Sequence, residues 1–145
     1  MMLDLRFLAP DFAVAPQIEL ADVAEAARLG FRTLINNRPE AEVAPELSAQ
    51  AFRAAAEAAG MQYHFVPYEP GELTPELVDR FEAARQEAPS PVLAWCRSGT
   101  RSSHLWALSE APHRPVEDIL HAAIRAGYDL SALELLLRAR ATQRG

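Results

Sequence analysis

The chain has 145 residues, 50% of them hydrophobic and 23% charged, with a formal net charge of −6. That length allows one compact α/β-sized domain with a sizeable core, so we expect a single domain over residues 1–145. The acidic balance argues against nucleic acid and anionic membranes as partners, and a lone cysteine, Cys96, excludes an internal disulfide framework and suits a reducing cytoplasm.

At the N-terminus Asp4 and Arg6 interrupt the apolar residues, and no basic segment precedes a long apolar run, so no signal peptide is expected. No stretch is apolar for long enough to span a bilayer, and a cytoplasmic location is expected. Leu5 to Leu8 and Phe12 to Ala15 are short apolar runs joined by Ala9-Pro10-Asp11, which reads as a hairpin or two extended pieces. Glu19 to Leu29 places Leu20, Val23, Ala24 and Ala27 at helical spacing and is closed by Gly30. Phe31 to Ile35 is a strand that runs into Asn36-Asn37-Arg38-Pro39. Glu46 to Ala59 is a second helix, closed by Gly60, and Met61 to Val66 a further strand leading into Pro67-Tyr68-Glu69-Pro70-Gly71. Thr74 caps a third helix with Pro75 at its first position, ending before Pro89.

The apolar run Pro91 to Trp95 then leads into Cys96-Arg97-Ser98-Gly99-Thr100-Arg101-Ser102, and a helix is expected over Ser103 to Leu108. Strand, small-residue loop and helix are the layout of an anion cradle, with backbone N–H groups and the helix dipole facing a negative charge. Gly99 allows close approach of the backbone, and Arg97 and Arg101 add planar cationic donors. This setting favours the thiolate, the nucleophilic form of a cysteine. Past the loop, Pro115 opens a helix ended by Gly127, and Asp129 is expected to cap a last helix carrying Leu130, Leu133, Leu136 and Leu137. Arg138, Arg140 and Arg144 suit the dipole of that helix.

Strands alternating with helices predict an α/β fold with a mostly parallel central sheet and helices on both faces. Sites in such sheets form beyond the carboxyl ends of the strands, so the loops at 36–39, 67–71 and 96–101 should converge. Arg38, Tyr68 and Glu69 become site candidates on that ground. His104 stands just past the Cys96 loop; the four histidines show no two-ligand helical pair, so no metal and no other cofactor is expected.

The loop Cys96 to Ser102 resembles the active-site loop of single-domain rhodaneses, which are sulfurtransferases. It is one residue shorter than the Cys-x5-Arg-Ser/Thr loop of cysteine-dependent phosphatases. From about Phe12 to Leu137 the chain resembles the phosphatase-like domain of the beta-lactamase-hydrolase-like family. The carriers are Gly30 to Pro39, Cys96 to Ser102 and Ala126-Gly127-Tyr128-Asp129-Leu130. The resemblance implies a fold similar to dual-specificity phosphatases, in a family whose members are often described as sulfurtransferases. Two departures, Trp95 where those phosphatases carry His and the shorter loop, favour sulfur transfer.

The leading expectation is therefore a rhodanese-like sulfurtransferase. Cys96 would take a sulfane sulfur from a small anionic donor, thiosulfate or a persulfide, and pass it to a thiol acceptor. Arg101 would act with it, and Arg97, Ser98, Gly99, Thr100, Ser102 and Arg38 would bind the donor. The alternative is a phosphatase acting on a phosphoester through a cysteinyl-phosphate. Glu69 is its possible general acid and Glu72 a second possibility, since an alkoxide leaving group needs a proton. A non-catalytic anion-binding or partner-binding module is the third expectation.

Overall fold

A computed structural model of the chain describes residues 3–142. Five short strands form one sheet: β1 (Arg6–Ala9), β2 (Phe12–Ala15), β3 (Thr33–Asn36), β4 (Gln62–Phe65) and β5 (Val92–Trp95). The order across the sheet is β1-β2-β5-β3-β4. β1 and β2 are the expected hairpin, antiparallel with an irregular register between Phe7 and Ala9. All other pairings are parallel, with Phe12 and Thr33 both opposite Val92, and Thr33 opposite Gln62. The expected α/β fold with a mostly parallel sheet is borne out. The central strands β2, β3 and β5 are buried at every position, which is why they read as continuous apolar runs and not as alternating ones.

Helices α1 (Leu20–Arg28) and α2 (Ala49–Ala58) pack on one face, over Ala13, Leu34, Leu93 and Trp95. Helices α3 (Pro75–Glu87), α4 (Thr100–Glu110), α5 (Val116–Arg125) and α6 (Glu134–Ala141) cover the other, over Phe12, Val14, Ile35 and Ala94. Local signals explain the helix starts. Thr74 accepts the Leu77 N–H at 3.1 Å with Pro75 at the first position, as expected for α3. α2 starts later than its composition suggests. The chain makes two 3-10 turns, Glu40–Glu42 and Pro45–Leu47, before Ser48 caps the helix by accepting the Ala51 N–H at 3.2 Å.

α4 departs from expectation in the direction that matters for function. It begins at Thr100 rather than Ser103, because Gly99 takes a left-handed φ of 92° and its carbonyl accepts the Ser103 N–H at 3.0 Å. The first helical turn is thus part of the Cys96 loop itself. At the C-terminal end, Asp129 accepts the Ser131 N–H at 2.9 Å and so shapes the turn Ser131–Leu133, not the start of α6. Leu130 and Leu137 are buried as expected, whereas Leu136 is exposed. Arg138 pairs with Glu134 and Glu117, and Arg140 with Glu82; Arg144 lies outside the described residues.

Candidate active site

Four parallel strands point the same way, so the segments after Ala15, Asn36, Phe65 and Trp95 emerge at one end of the sheet. Cys96 follows the central strand directly and is fully buried. Trp95, which stands where the resembled phosphatases carry His, turns to the α1/α2 side and packs its ring 4.9 Å from that of Phe52. It fills core and leaves the thiol to its own loop. The Gly99 N–H donates to Cys96 Sγ at 3.2 Å, which bends the loop back over the sulfur.

The carbonyls of this loop are turned outward onto partners. Arg97 O accepts the Gln17 N–H at 3.1 Å, Ser98 O the Tyr128 hydroxyl at 3.0 Å, and Gly99 O the Ser103 hydroxyl at 2.8 Å. A trans peptide carries its C=O and N–H on opposite sides, and the Gly99 N–H accordingly faces the sulfur, while the Thr100 N–H donates to Ser98 Oγ at 3.3 Å. Backbone donors at the head of α4, beside a sulfur, suit an oxyanion. Ser98 and Thr100 sit at the mouth, their hydroxyls 2.9 Å apart, and Arg97 is exposed beside them. Ser102 is fully buried and donates to Asn37 Oδ1 at 2.8 Å, tying α4 to the end of β3.

Arg101 is gripped from one side. Its Nη1 donates to Glu42 Oε2 at 3.0 Å and to the Tyr68 carbonyl at 2.7 Å, and its Nη2 to Glu42 Oε1 at 2.9 Å. Both Nη1 donors are used and one of Nη2. The Nε–H and the second Nη2 proton have no hydrogen-bond partner among the described residues, and together they make a planar two-donor edge for an oxyanion. Arg38, expected to bind substrate, instead stands behind this clamp: its Nε donates to Glu42 Oε1 at 3.2 Å, its Nη2 to the Glu42 carbonyl at 3.1 Å and its Nη1 to Gln17 Oε1 at 3.0 Å. The hydrogen bond from Arg101, reinforced by Arg38, holds the Glu42 carboxyl below the usual range despite partial burial.

The three expected loops do converge. Asn37 donates to Val66 O at 2.8 Å, and its own carbonyl accepts the Tyr68 N–H at 2.9 Å, stitching the 36–39 loop to the 67–71 loop. Tyr68 is buried, with its hydroxyl 3.1 Å from His104 Nδ1. Burial, with Arg101 nearby, lowers the His104 pKa from the usual histidine value. Burial raises the Tyr68 hydroxyl. Tyr68, through its carbonyl on Arg101, and Tyr128, through its hydroxyl on the Ser98 carbonyl, both reach the loop that carries Cys96.

Glu69 is not brought in. It is exposed, makes no side-chain hydrogen bond or ion pair among the described residues, and lines a surface groove with Pro67, Glu72, Thr74, Glu76, Leu77 and Arg80. Pro67 and Pro70 flank a segment whose backbone is fixed by Asn37, and the Glu69 side chain leaves that segment toward α3. Glu72 lies in the same groove. The expectation that either is a positioned acid has no geometric basis here. Sequence reasoning missed Glu42, Gln17 and Tyr128. Glu42 gave a signal, four residues after Arg38, though the turn Glu40–Glu42 that realises this pairing is not a regular helix; Tyr128 stands in the 126–130 segment that carried the family resemblance, which gave it no role at the site.

Comparison with known proteins agrees with this geometry. The profile of the Beta-lactamase hydrolase-like protein, phosphatase-like domain, matches residues 4–113. A Beta-lactamase hydrolase-like protein of Agrobacterium fabrum is 34% identical over 121 residues, 82% of this chain. The chain spans only 28% of that relative's length. The crystal structure of a candidate phosphatase from Neisseria meningitidis superposes with a TM-score of 0.81 at 30% identity, covering 96% of this chain and 99% of the other. Tk-PTP in its active form superposes with a TM-score of 0.70 at 18% identity, covering all of both chains, a likeness of fold. The fold is that of the cysteine phosphatases. The sulfurtransferase expectation finds no support in these comparisons, which show a phosphatase-like domain.

Proposed function

The chain belongs to the phosphatase-like domain family of Beta-lactamase hydrolase-like proteins, and from that membership we propose a cysteine-dependent phosphohydrolase acting through Cys96. The observation that carries the reading is a buried sulfur under an N–H of the loop that opens α4, on the same loop as an Arg101 held by Glu42 with one edge of its guanidinium left without a partner among the described residues. The phosphoryl oxygens accept the loop N–H groups and the Nε edge of Arg101, which places phosphorus over Cys96 Sγ. The thiolate attacks phosphorus: the S–P bond forms, the P–O bond to the leaving group breaks, and the departing oxyanion takes its proton from water. Water then attacks the cysteinyl-phosphate, the S–P bond breaks, and orthophosphate and the thiolate are released. Negative charge developing on the equatorial oxygens is met by donors already in place.

Neither Glu42 nor Glu69 is placed to protonate the leaving group: Glu42 is clamped by two arginines, and Glu69 faces another groove. Substrates whose leaving groups need no acid are therefore favoured. An aryl phosphate should be hydrolysed faster than an alkyl phosphate by on the order of 10²–10⁴, the usual contribution of general acid catalysis. Glu69→Gln should leave kcat/KM for both within about twofold. A loss of about 10² or more, as for a true acid, would restore Glu69 to the mechanism.

The same missing acid, with the six-residue span from Cys96 to Arg101, supports one second reading, transfer of a sulfane sulfur with sulfite as an undemanding leaving group. Intact-protein mass spectrometry separates the two. Aryl phosphate should give released phosphate and a transient phosphoryl adduct on Cys96. A gain of one cyanide-removable sulfur after thiosulfate, with no phosphate release from any phosphoester, would reverse the order.

A further inference from the structure

Tyr128 belongs to the segment between α5 and α6, far from the Cys96 loop in sequence, yet it is buried against that loop. Its hydroxyl donates to the Ser98 carbonyl at 3.0 Å across a separation of 30 residues. The Gly99 N–H on the same peptide points the other way and donates to Cys96 Sγ at 3.2 Å. Because C=O and N–H of a trans peptide are opposed, holding one outward holds the other inward.

We propose that Tyr128 is a positioning residue that locks the Ser98–Gly99 peptide with its N–H facing the nucleophile. Flipped, that peptide would aim the Ser98 carbonyl oxygen at Cys96 and at any bound oxyanion, replacing a donor by an acceptor. Such a flip is open to this peptide because Gly99, at its C-terminal side, carries a φ of 92° and no Cβ to bar other backbone states. The adjacent peptides are held differently. Arg97 O takes a backbone N–H, from Gln17, and Gly99 O is bound within α4 by Ser103. Ser98 O takes the side chain of a distant residue.

The surroundings of Tyr128 fit that task. Its N–H donates to Ala123 O at 2.8 Å, and the Arg6 guanidinium lies over its ring, 5.5 Å from the centroid, while donating to Ala126 O at 3.3 Å. Gly127, with φ of 99°, leaves the room Arg6 needs: a Cβ there would come within 2.6 Å of Arg6 Nη1. A Cβ at position 99 would collide with the Tyr128 hydroxyl itself. Glycines at both positions therefore let Arg6, Tyr128 and the loop close on one another.

The inference rests on the phosphohydrolase reading only for its kinetic consequence, and the test separates the two. Nitrogen relaxation dispersion on the Gly99 amide of the ligand-free full chain is compared between wild type and Tyr128→Phe, which keeps the ring and its contact with Arg6. The expected profile is flat in wild type. In Tyr128→Phe, microsecond-to-millisecond exchange should appear at Ser98 and Gly99 alone. With it, kcat/KM for an aryl phosphate should fall about tenfold at an unchanged melting temperature, less than the roughly 10²–10³ of a deleted oxyanion donor because the N–H is mis-aimed only part of the time. A flat profile and an unmoved Gly99 amide shift in both proteins overturn the inference whatever the activity. So does exchange spread through the fold, or exchange with undiminished kcat/KM. Exchange at Ser98 and Gly99 in the variant, with no turnover of phosphoesters by wild type, leaves the lock standing and removes the phosphohydrolase reading.

Discussion

Cys96→Ser is expected to lower aryl phosphate turnover by roughly 10⁴-fold or more while leaving inorganic phosphate binding within a few-fold of wild type. The two effects separate because the side chain and the cradle do different work. Serine is nearly isosteric with cysteine and can still accept the Gly99 N–H that lies 3.2 Å from the sulfur, so the loop keeps its shape. Its hydroxyl, however, stays protonated at neutral pH. Among the described residues no side chain hydrogen-bonds Cys96 Sγ to activate it: its partner is the Gly99 N–H, and the His104 ring nitrogen is engaged with the Tyr68 hydroxyl at 3.1 Å. Phosphate release, measured beside calorimetric titration of inorganic phosphate, checks both halves. Near wild-type turnover would remove covalent catalysis from this loop. Loss of phosphate binding together with turnover would mean instead that the variant loop has collapsed.

Much of this site was legible in the sequence because its signals are local. Cys96, Gly99 and Arg101 stand within six residues between an apolar run and a helix-forming one, and chain connectivity alone forces them to the carboxyl end of a central strand. The convergence of the 36–39 and 67–71 loops followed from parallel pairing, since βα units deliver such loops to one edge. What sequence could not show depends on tertiary placement. Glu69 and Glu42 are both glutamates on loops at that same edge. Only the path of the backbone after Pro39, two 3-10 turns in place of a helix, sends Glu42 inward to the arginines, while Glu69 is directed to the α3 groove. Arg38 was found as a residue at the site, but its role was not, because a guanidinium near an anion cradle can face either the anion or a carboxylate behind it. Tyr128 contributes through a single hydrogen bond spanning 30 residues, which no periodicity or motif spacing encodes. The early start of α4 is of the same kind. It hangs on the left-handed turn at Gly99, a conformation that a glycine permits without dictating.

Arg101→Lys is expected to reduce kcat/KM by roughly 10³-fold, although the charge is kept, because the site uses the guanidinium as a two-sided fork. One side is spent on Glu42 and the Tyr68 carbonyl, at 2.7 to 3.0 Å; the other is left as a flat pair of donors for the phosphoryl oxygens. An ammonium group is a single point with three donors and cannot hold a carboxylate with one planar edge and an oxyanion with another. Lysine at this position is expected to turn its charge onto Glu42, leaving the equatorial oxygens without their charged partner. Glu42→Gln tests the same clamp from behind. It should cost about tenfold, by loosening the guanidinium and not by touching substrate, and the double variant should lose less than the product of the single effects, since both act through one group. Additive losses would separate the two residues, and an Arg101→Lys enzyme keeping more than about a tenth of wild-type kcat/KM would mean that a point charge suffices. The clamp also carries a pH signature. Arg101, with Arg38, depresses the Glu42 carboxyl in the folded protein, so its contribution to stability is present above the unfolded carboxyl value of about 4.3 and is lost as pH falls through the lower folded value. Acid unfolding followed by circular dichroism should therefore begin at higher pH in Arg101→Ala, which removes the cation beside Glu42, than in wild type, and an unchanged acid midpoint in that variant would show that the Arg101–Glu42 pair, though close, adds nothing to the fold.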